Sequence, residues 1–173
     1  MRVMLDTCVL YPAVLRDFLL ALAARGLFTP LWSDGVAGEW LHLVARRNPQ
    51  ERDEVAALLR RMSARWPEGR VPPGAPGLLE LPDPADRHVL AAAIAGAAEL
   101  ILTDNWRDFP RRSLAPHGLT ALPPDDFVLR LWLGAPGIVA EEVAARWPGL
   151  AGRPLRQALR RAGLPRLGKA LEH

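Results

Sequence analysis

The chain of 173 residues is half hydrophobic, has a formal net charge of +3 and contains one cysteine. This length suits one domain with a substantial core. A single cysteine excludes an intramolecular disulfide and a cysteine-based zinc cluster. The sequence has no run of about 18 uncharged apolar residues, the length that a membrane span requires. Its first residues lack the apolar region of a signal peptide. We therefore expect a cytoplasmic protein without a membrane anchor.

Short apolar runs alternate with amphipathic segments along most of the chain. The apolar runs predict strands at residues 2–5, 29–32, 99–103 and 119–122. Amphipathic spacing and capping residues predict helices at residues 12–25, 33–47, 50–66, from 84 onward, 125–133 and 138–147. The proline-rich segment 67–82 is predicted to be mostly loop, with 78–81 extended. This alternation implies a three-layer α/β/α sandwich with a mainly parallel central sheet and extra C-terminal helices.

The most informative stretch is residues 81–94. Asp83 is a good helix N-cap, and Pro84 suits the first helical position. Asp86 precedes Leu90 by four residues and Ala93 by seven, so it lies on the same face as these apolar residues. An acid at that position either completes a cap or binds a cation. Within this stretch alone, capping is the favoured interpretation.

Three other acids occupy comparable places. Asp6 and Asp104 follow predicted strands, and Glu39, like Asp86, lies near the start of a predicted helix. Ligands of open α/β sheets bind at the carboxyl edge of the strands. Four carboxylates there repel one another unless they are protonated or neutralised. A divalent cation resolves the conflict, and all-oxygen ligands favour Mg²⁺ or Mn²⁺ over zinc. The implied chemistry is hydrolysis of a phosphodiester bond.

These acids and their neighbours resemble the PIN domain, and more narrowly the bacterial VapC-like toxin ribonucleases. The resemblance runs in order from about residue 2 to residue 130. It rests on Leu5-Asp6-Thr7-Cys8, on Ser33 with Glu39, on Asp83-Pro84-Ala85-Asp86-Arg87-His88, and on Leu102-Thr103-Asp104-Asn105-Trp106-Arg107-Asp108-Phe109. It implies a metal-dependent endoribonuclease that acts on RNA, forms a homodimer and is held inactive by a cognate antitoxin protein.

The resemblance assigns catalytic and metal-binding roles to Asp6, Glu39 and Asp86. Asp104 is the first choice for the fourth acid, with Asn105 and Asp108 as the other candidates. Thr7 matches the small hydroxyl residue beside the first acid and is expected to orient a ligand or water. The resemblance also implies a PIN-like nuclease domain at residues 1–130 and a C-terminal helical extension of the same domain at 131–170. Residues 171–173 are predicted to be a tag remnant.

Arg87 and His88 neighbour Asp86 and are candidates for phosphate contact, although helix residues beside a cap more often lie on the surface. Trp106 differs from most of the six tryptophans, which we expect to fill the core or a dimer interface. It lies in the loop beside Asp104, where it can stack on an RNA base. Six basic residues without an acid lie between Arg153 and Lys169. They form either a solvated helical face or a contact for phosphate or an acidic partner.

Three other activities deserve comparison. An aspartyl-phosphate hydrolase needs a second Asp two residues after the first, where this chain has Cys8. A phosphoreceiver domain needs a lysine after a late strand, and the chain has only Lys169. Cys8 acting as a nucleophile with a histidine is less favoured than a small buried cysteine. The main alternative is a non-catalytic PIN-like module that binds RNA or protein. Four retained and mutually repelling carboxylates argue against it.

Overall fold

A computed structural model describes residues 1–172 and has four short parallel strands at its centre. The strands are β1 (Arg2–Leu5), β2 (Thr29–Leu31), β3 (Leu100–Leu102) and β4 (Thr120–Leu122). Their order across the sheet is β2-β1-β3-β4, and each adjacent pair is parallel. The predicted strands are thus present, each trimmed by one or two residues except the first, which matches.

The helices follow the predicted order. They are α1 (Thr7–Leu10), α2 (Ala13–Ala24), α3 (Asp34–Arg47), α4 (Arg52–Arg65), α5 (Arg87–Ala95), α6 (Arg111–Leu114), α7 (Pro124–Gly134), α8 (Pro136–Arg146), α9 (Gly152–Arg161) and α10 (Pro165–Ala170). The right-handed rule for parallel crossovers places α2 on one face of the sheet and α3–α5 on the other, because the chain moves in opposite directions from β1 to β2 and from β2 to β3. The α/β sandwich with a parallel sheet and extra C-terminal helices is confirmed.

Local geometry refines two predictions. The helix predicted at 12–25 is preceded by the short helix α1, which begins directly after β1 and is capped by the Asp6 side chain. The segment predicted to be extended at 78–81 begins with the end of a 3₁₀ turn, Pro76–Leu78, and Leu79 after it has extended backbone angles.

The core lies on both faces of the sheet and reaches the C-terminal helices. Val3 and Ile101 of the central strands are fully buried, as are Trp32 and Trp40. Leu159, Leu164 and Leu167 join the same apolar cluster. Buried Asp125 accepts hydrogen bonds from the backbone N–H groups of Arg166 and Leu167, so the start of α10 is fixed to α7. The helices α9 and α10 therefore contribute buried side chains to the same apolar cluster as the sheet.

Residues 171–173 were predicted to be a tag remnant. Leu171 packs against the core, and a carboxylate oxygen of Glu172 lies 3.2 Å from the Arg156 guanidinium. His173 lies outside the described residues. Within residues 1–172, no helix has the length and apolar character needed to cross a membrane.

Candidate active site

Asp6 accepts three hydrogen bonds at the carboxyl edge of the sheet. It follows β1, is 6% exposed and caps α1, with Oδ1 accepting a 2.7 Å hydrogen bond from the Thr7 backbone N–H. Its Oδ2 accepts from the Thr103 hydroxyl at 2.7 Å and from the Cys8 thiol at 3.4 Å. The Asp6 backbone N–H donates to the Leu102 carbonyl, which ties the ends of β1 and β3 together. Three donors from two strand ends therefore fix this carboxylate.

Glu39 is held at both of its oxygens. It lies on α3, and its Oε2 accepts a 2.8 Å hydrogen bond from the Thr7 hydroxyl. Its Oε1 lies 2.8 Å from His88 Nε2 on α5. Thr7 thus binds Asp6 through its backbone and Glu39 through its side chain. This residue was expected to orient a ligand or water, and it orients two acids.

Among the acids of the site, Asp86 has the most strongly raised pKa. It ends the 3₁₀ turn Pro84–Asp86, and its side chain makes no capping hydrogen bond to α5. Asp83 supplies the cap, as predicted, by accepting a hydrogen bond from the Ala85 N–H at 2.9 Å. The capping interpretation of Asp86, which was favoured for that stretch alone, is therefore wrong. Burial raises the pKa of Asp86 to about 6, with further contributions from the charges of Asp6, Asp83, Asp108 and Glu39.

The loop after β3 brings two further acids to the edge. Partial desolvation, followed by the charge of Asp6, raises the pKa of Asp104. Asp108 ends the 3₁₀ turn Trp106–Asp108, and its charge acts on Asp86. Asp104 is thus electrostatically coupled to Asp6, and Asp108 to Asp86. Asn105 donates its backbone N–H to the Thr103 hydroxyl at 3.1 Å, which supports the strand end.

The oxygen donors suit a hard divalent cation, because burial and like charges at one edge make ionised Asp86 costly until a cation balances the charge. No three His, Cys, Asp or Glu side chains among residues 1–172 lie close enough together to enclose a metal ion. This spacing still suits Mg²⁺, which usually keeps several waters and needs only one or two carboxylates. Asp6, which is buried, and Asp86, which is half-buried and has a raised pKa, fit this role best.

Cys8 lacks the environment of a nucleophile. Burial, followed by the charge of Asp6, raises the pKa of its thiol to about 12. Its sulfur contacts Asp6, Thr103 and the Asp104 N–H rather than a histidine. The cysteine-nucleophile alternative therefore has no support in the geometry.

We expect Cys8 to react with iodoacetamide near pH 8 at least a hundredfold more slowly than a small exposed thiol, because only the thiolate reacts. Mass spectrometry of the native protein over time measures this rate. The urea-unfolded protein is the control and is expected to react at the normal rate. Fast alkylation of the native protein would contradict the buried, neutral thiol.

Thr103 and His88 support the acids of the site, a role that the sequence did not predict for either residue. Thr103 was noted only as the end of a strand, and His88 was considered for phosphate contact rather than for Glu39. A Cβ built on Gly35 would come within 2.9 Å of His88 Nδ1, so glycine leaves room for this ring beside α3. The contacts of Thr103 with Asp6 and of His88 with Glu39 leave no recognisable spacing in the sequence, because each joins segments that are far apart in the chain.

The two candidate RNA contacts line two different cavities. Arg87 directly follows Asp86 and begins α5, where it lines a cavity of about 730 Å³. Trp106 is 44% exposed, and the Arg107 guanidinium lies 5.2 Å from its ring centroid. Each therefore lies near an acid of the site in the chain, and each lines a cavity of the described surface.

Comparison with known proteins agrees with this arrangement. The family model described as PIN domain matches residues 2–107, which is more than half of the chain and includes Asp6, Glu39, Asp86 and Asp104. The chain belongs to the PIN domain family. The PIN-domain match ends before Asp108, α6 and every later element.

A 44-residue stretch of this PIN-domain chain is 54% identical to a Mycobacterium tuberculosis (strain ATCC 25618 / H37Rv) protein described as "Putative ribonuclease VapC50". The stretch covers 25% of the chain and 26% of that relative, so the chain matches about a quarter of the relative's length. The predicted resemblance to PIN-domain, VapC-like proteins is confirmed. No solved structure matches the chain.

Proposed function

We propose that this PIN-domain protein is a metal-dependent endoribonuclease that hydrolyses RNA phosphodiester bonds. One observation carries the proposal. Asp6 and Asp104 follow β1 and β3 at the carboxyl edge of the sheet, and burial, followed by the charges of Asp6, Asp83, Asp108 and Glu39, raises the pKa of Asp86 to about 6. A cluster of acids that weakens its own ionisation gains most from a bound cation. The similarity to a VapC-type relative supports RNA as the substrate.

In this proposal, separate residues of the chain bind the cation, position the acids and bind the RNA. Asp6 and Asp86 would bind Mg²⁺ or Mn²⁺ directly, and Glu39 and Asp104 would complete the site through waters of the cation, with Asp108 and Asn105 as alternatives for Asp104. Such a cation supplies Lewis-acid stabilisation of phosphate charge and a lowered pKa for water. Thr7 and Thr103 hold Asp6 in place, while Thr7 and His88 hold Glu39. Arg87 and Trp106 would bind the RNA chain beside the acids.

The same resemblance supports a biological setting. We propose that the protein is the toxin of a type II toxin–antitoxin pair, acts in the cytoplasm as a homodimer, and is inhibited by a cognate antitoxin. The alternative is a PIN-like module that binds RNA or protein without cutting. Retention of mutually repelling acids argues against it, because a binding module gains no stability from them.

The test is cleavage of a mixed RNA pool by the full chain with Mg²⁺ or Mn²⁺, compared with EDTA. We expect cutting only with metal, resolved as internal fragments on a sequencing gel. No cutting of any RNA in a transcriptome-wide pool by the folded, metal-loaded protein would favour the binding module. Cutting that continues in EDTA would contradict the metal-dependent mechanism.

His88 offers a separate test of how Glu39 is held. Replacing His88 with alanine frees Glu39 Oε1, and we expect the RNA cleavage rate to fall by roughly tenfold, as for other groups that orient metal ligands. His88→Gln keeps a polar group within reach and is expected to restore much of the rate. A rise in the Mn²⁺ concentration needed for half-maximal cleavage distinguishes lost orientation from simple loss of stability. Equal rates and metal requirements for wild type and His88→Ala would contradict this role.

A further inference from the structure

A groove of about 560 Å³ runs along the free side of β4, the edge strand of the sheet. Leu114, Leu119, Ala121 and Leu122 give it an apolar floor, and Trp106, Arg107, Arg111 and Arg130 line its rim. We call it the β4 groove. Trp106 and Arg107 come two and three residues after Asp104, so one end of the groove adjoins the acidic edge. Arg111 and Arg130 lie beyond the part of the chain that the family model matches.

The arginines of the β4 groove carry positive charge that the described chain leaves unbalanced. Within residues 1–172, Arg107, Arg111 and Arg130 form no ion pair, whereas Arg25, Arg70 and Arg156 each pair with a carboxylate. Arg111 and Arg130 are also exposed. Three unpaired guanidinium groups around one groove favour a polyanionic ligand.

Trp106 and the edge of β4 add features that suit a nucleobase. Trp106 exposes much of its indole at the rim, and stacking on an exposed aromatic ring is the usual contact of single-stranded nucleic acid. The Thr103 N–H donates to the Leu122 carbonyl at 3.0 Å. Because the direction of hydrogen bonding alternates along a parallel strand, the N–H and C=O of Ala121 face away from β3, toward the groove. They offer one donor and one acceptor to the edge of a base.

We propose that the β4 groove binds a nucleotide of single-stranded RNA next to the bond that is cut. The base lies on the apolar floor against Trp106, and the flanking phosphates contact Arg107, Arg111 and Arg130. This inference rests on the proposed ribonuclease function and adds a place where the substrate strand binds. An acidic peptide is the competing ligand. It would pair with the arginines, but its carboxylates would not stack on the exposed indole of Trp106.

The test measures binding separately from cutting. A short fluorescein-labelled single-stranded RNA of mixed sequence is titrated with the full chain in EDTA, and fluorescence anisotropy gives the dissociation constant. Arg111→Gln with Arg130→Gln removes two charges from the β4 groove. Arg153→Gln with Arg160→Gln removes two exposed charges from α9 and serves as the matched control, since neither residue forms an ion pair in the described chain.

We expect the groove variant to bind RNA about tenfold more weakly and to lower the slope of log affinity against log salt by about 1.4. The α9 variant is expected to change affinity less than twofold. Trp106→Ala should weaken binding by roughly tenfold, whereas Trp106→Phe should keep most of it. Circular dichroism spectra that match the wild type confirm folding of each variant.

Equal losses in the groove and α9 variants, or no loss in either, would overturn the β4-groove proposal. The proposal would also be overturned if the groove variant lost binding of a glutamate-rich peptide but bound RNA as the wild type does. Cleavage is followed in parallel with Mn²⁺. Wild-type cutting with unchanged RNA binding in the groove variant rejects the groove alone, whereas wild type that never cuts rejects the proposed function.

Discussion

Replacing Asp6 with asparagine is expected to reduce RNA cleavage by roughly a thousandfold while leaving the protein folded. Asp6 is the acid that the chain fixes most firmly, through Thr7, Cys8 and Thr103. Asparagine has nearly the same shape and keeps an oxygen for the Thr7 N–H, but it loses the charge that would bind a cation. The initial rate of cleavage of a labelled RNA with Mn²⁺ measures the effect.

Asp83→Asn is the matched control for this experiment. It removes one negative charge from the same region, and asparagine remains a good cap for the 3₁₀ turn that Asp83 begins. We expect its cleavage rate to stay within about threefold of wild type. Similar rates for Asp6→Asn and wild type would show that the acidic edge is not the catalytic centre.

Replacing Asp86 with asparagine is expected to stabilise the metal-free protein even though it removes a proposed ligand. Burial and four neighbouring carboxylates disfavour the ionised form of Asp86. Allowing for partial solvent exposure, we expect the free energy of unfolding in EDTA to rise by about 1 kcal/mol near pH 7. The corresponding increase in Tm is about 2–4 °C. Urea unfolding monitored by tryptophan fluorescence measures the change.

The pH dependence of this effect has a defined sign. The pKa of Asp86 is about 6 in the folded protein, above the value of about 3.9 for an unfolded chain. Its ionisation therefore costs stability as pH rises through this window, and the full cost is present above about pH 6. Wild type and Asp86→Asn should be equally stable near pH 4 and differ most near pH 7. A difference that is constant with pH, or wild type being the more stable near pH 7, would contradict the electrostatic account.

Bound Mn²⁺ should make the wild type more stable than Asp86→Asn, the reverse of the order expected in EDTA. Mn²⁺ is expected to raise the Tm of wild type more than that of Asp86→Asn, because a ligand that binds only the folded state stabilises it. Asp53→Asn, which changes an almost fully exposed carboxylate on α4, is the control for a loss of charge alone. It should leave the response to Mn²⁺ unchanged.

The sheet and the place of the acids were predictable from local sequence because both follow simple periodic rules. Apolar runs identify β1 and β3, and parallel strands bring the residues after them to one edge, so Asp6 and Asp104 were expected there. The helix predicted to begin at residue 33 is capped by Ser33, whose Oγ accepts a hydrogen bond from the Val36 N–H. These features depend on a few adjacent residues.

The contacts that organise the site were harder to predict because they join residues far apart in the chain. The Thr103 hydroxyl reaches Asp6 across 97 positions, and His88 reaches Glu39 across 49. Asp83 was correctly predicted to be the cap, but the expectation from residues 81–94 alone that Asp86 completes it was wrong, because the Asp86 side chain makes no hydrogen bond to the start of α5. The unpaired arginines of the β4 groove also required the fold, since Arg111 and Arg130 lie on different helices.

One measurement tests the central claim most directly. Mn²⁺ is titrated into the wild-type protein with labelled RNA, and electron paramagnetic resonance of free Mn²⁺ gives the bound fraction while the same samples give the cleavage rate. We predict that the rate rises in proportion to bound Mn²⁺ and that Asp6→Asn loses both together. Full cleavage without bound Mn²⁺, or unchanged Mn²⁺ binding in Asp6→Asn, would contradict a metal-dependent nuclease centre at this edge of the sheet.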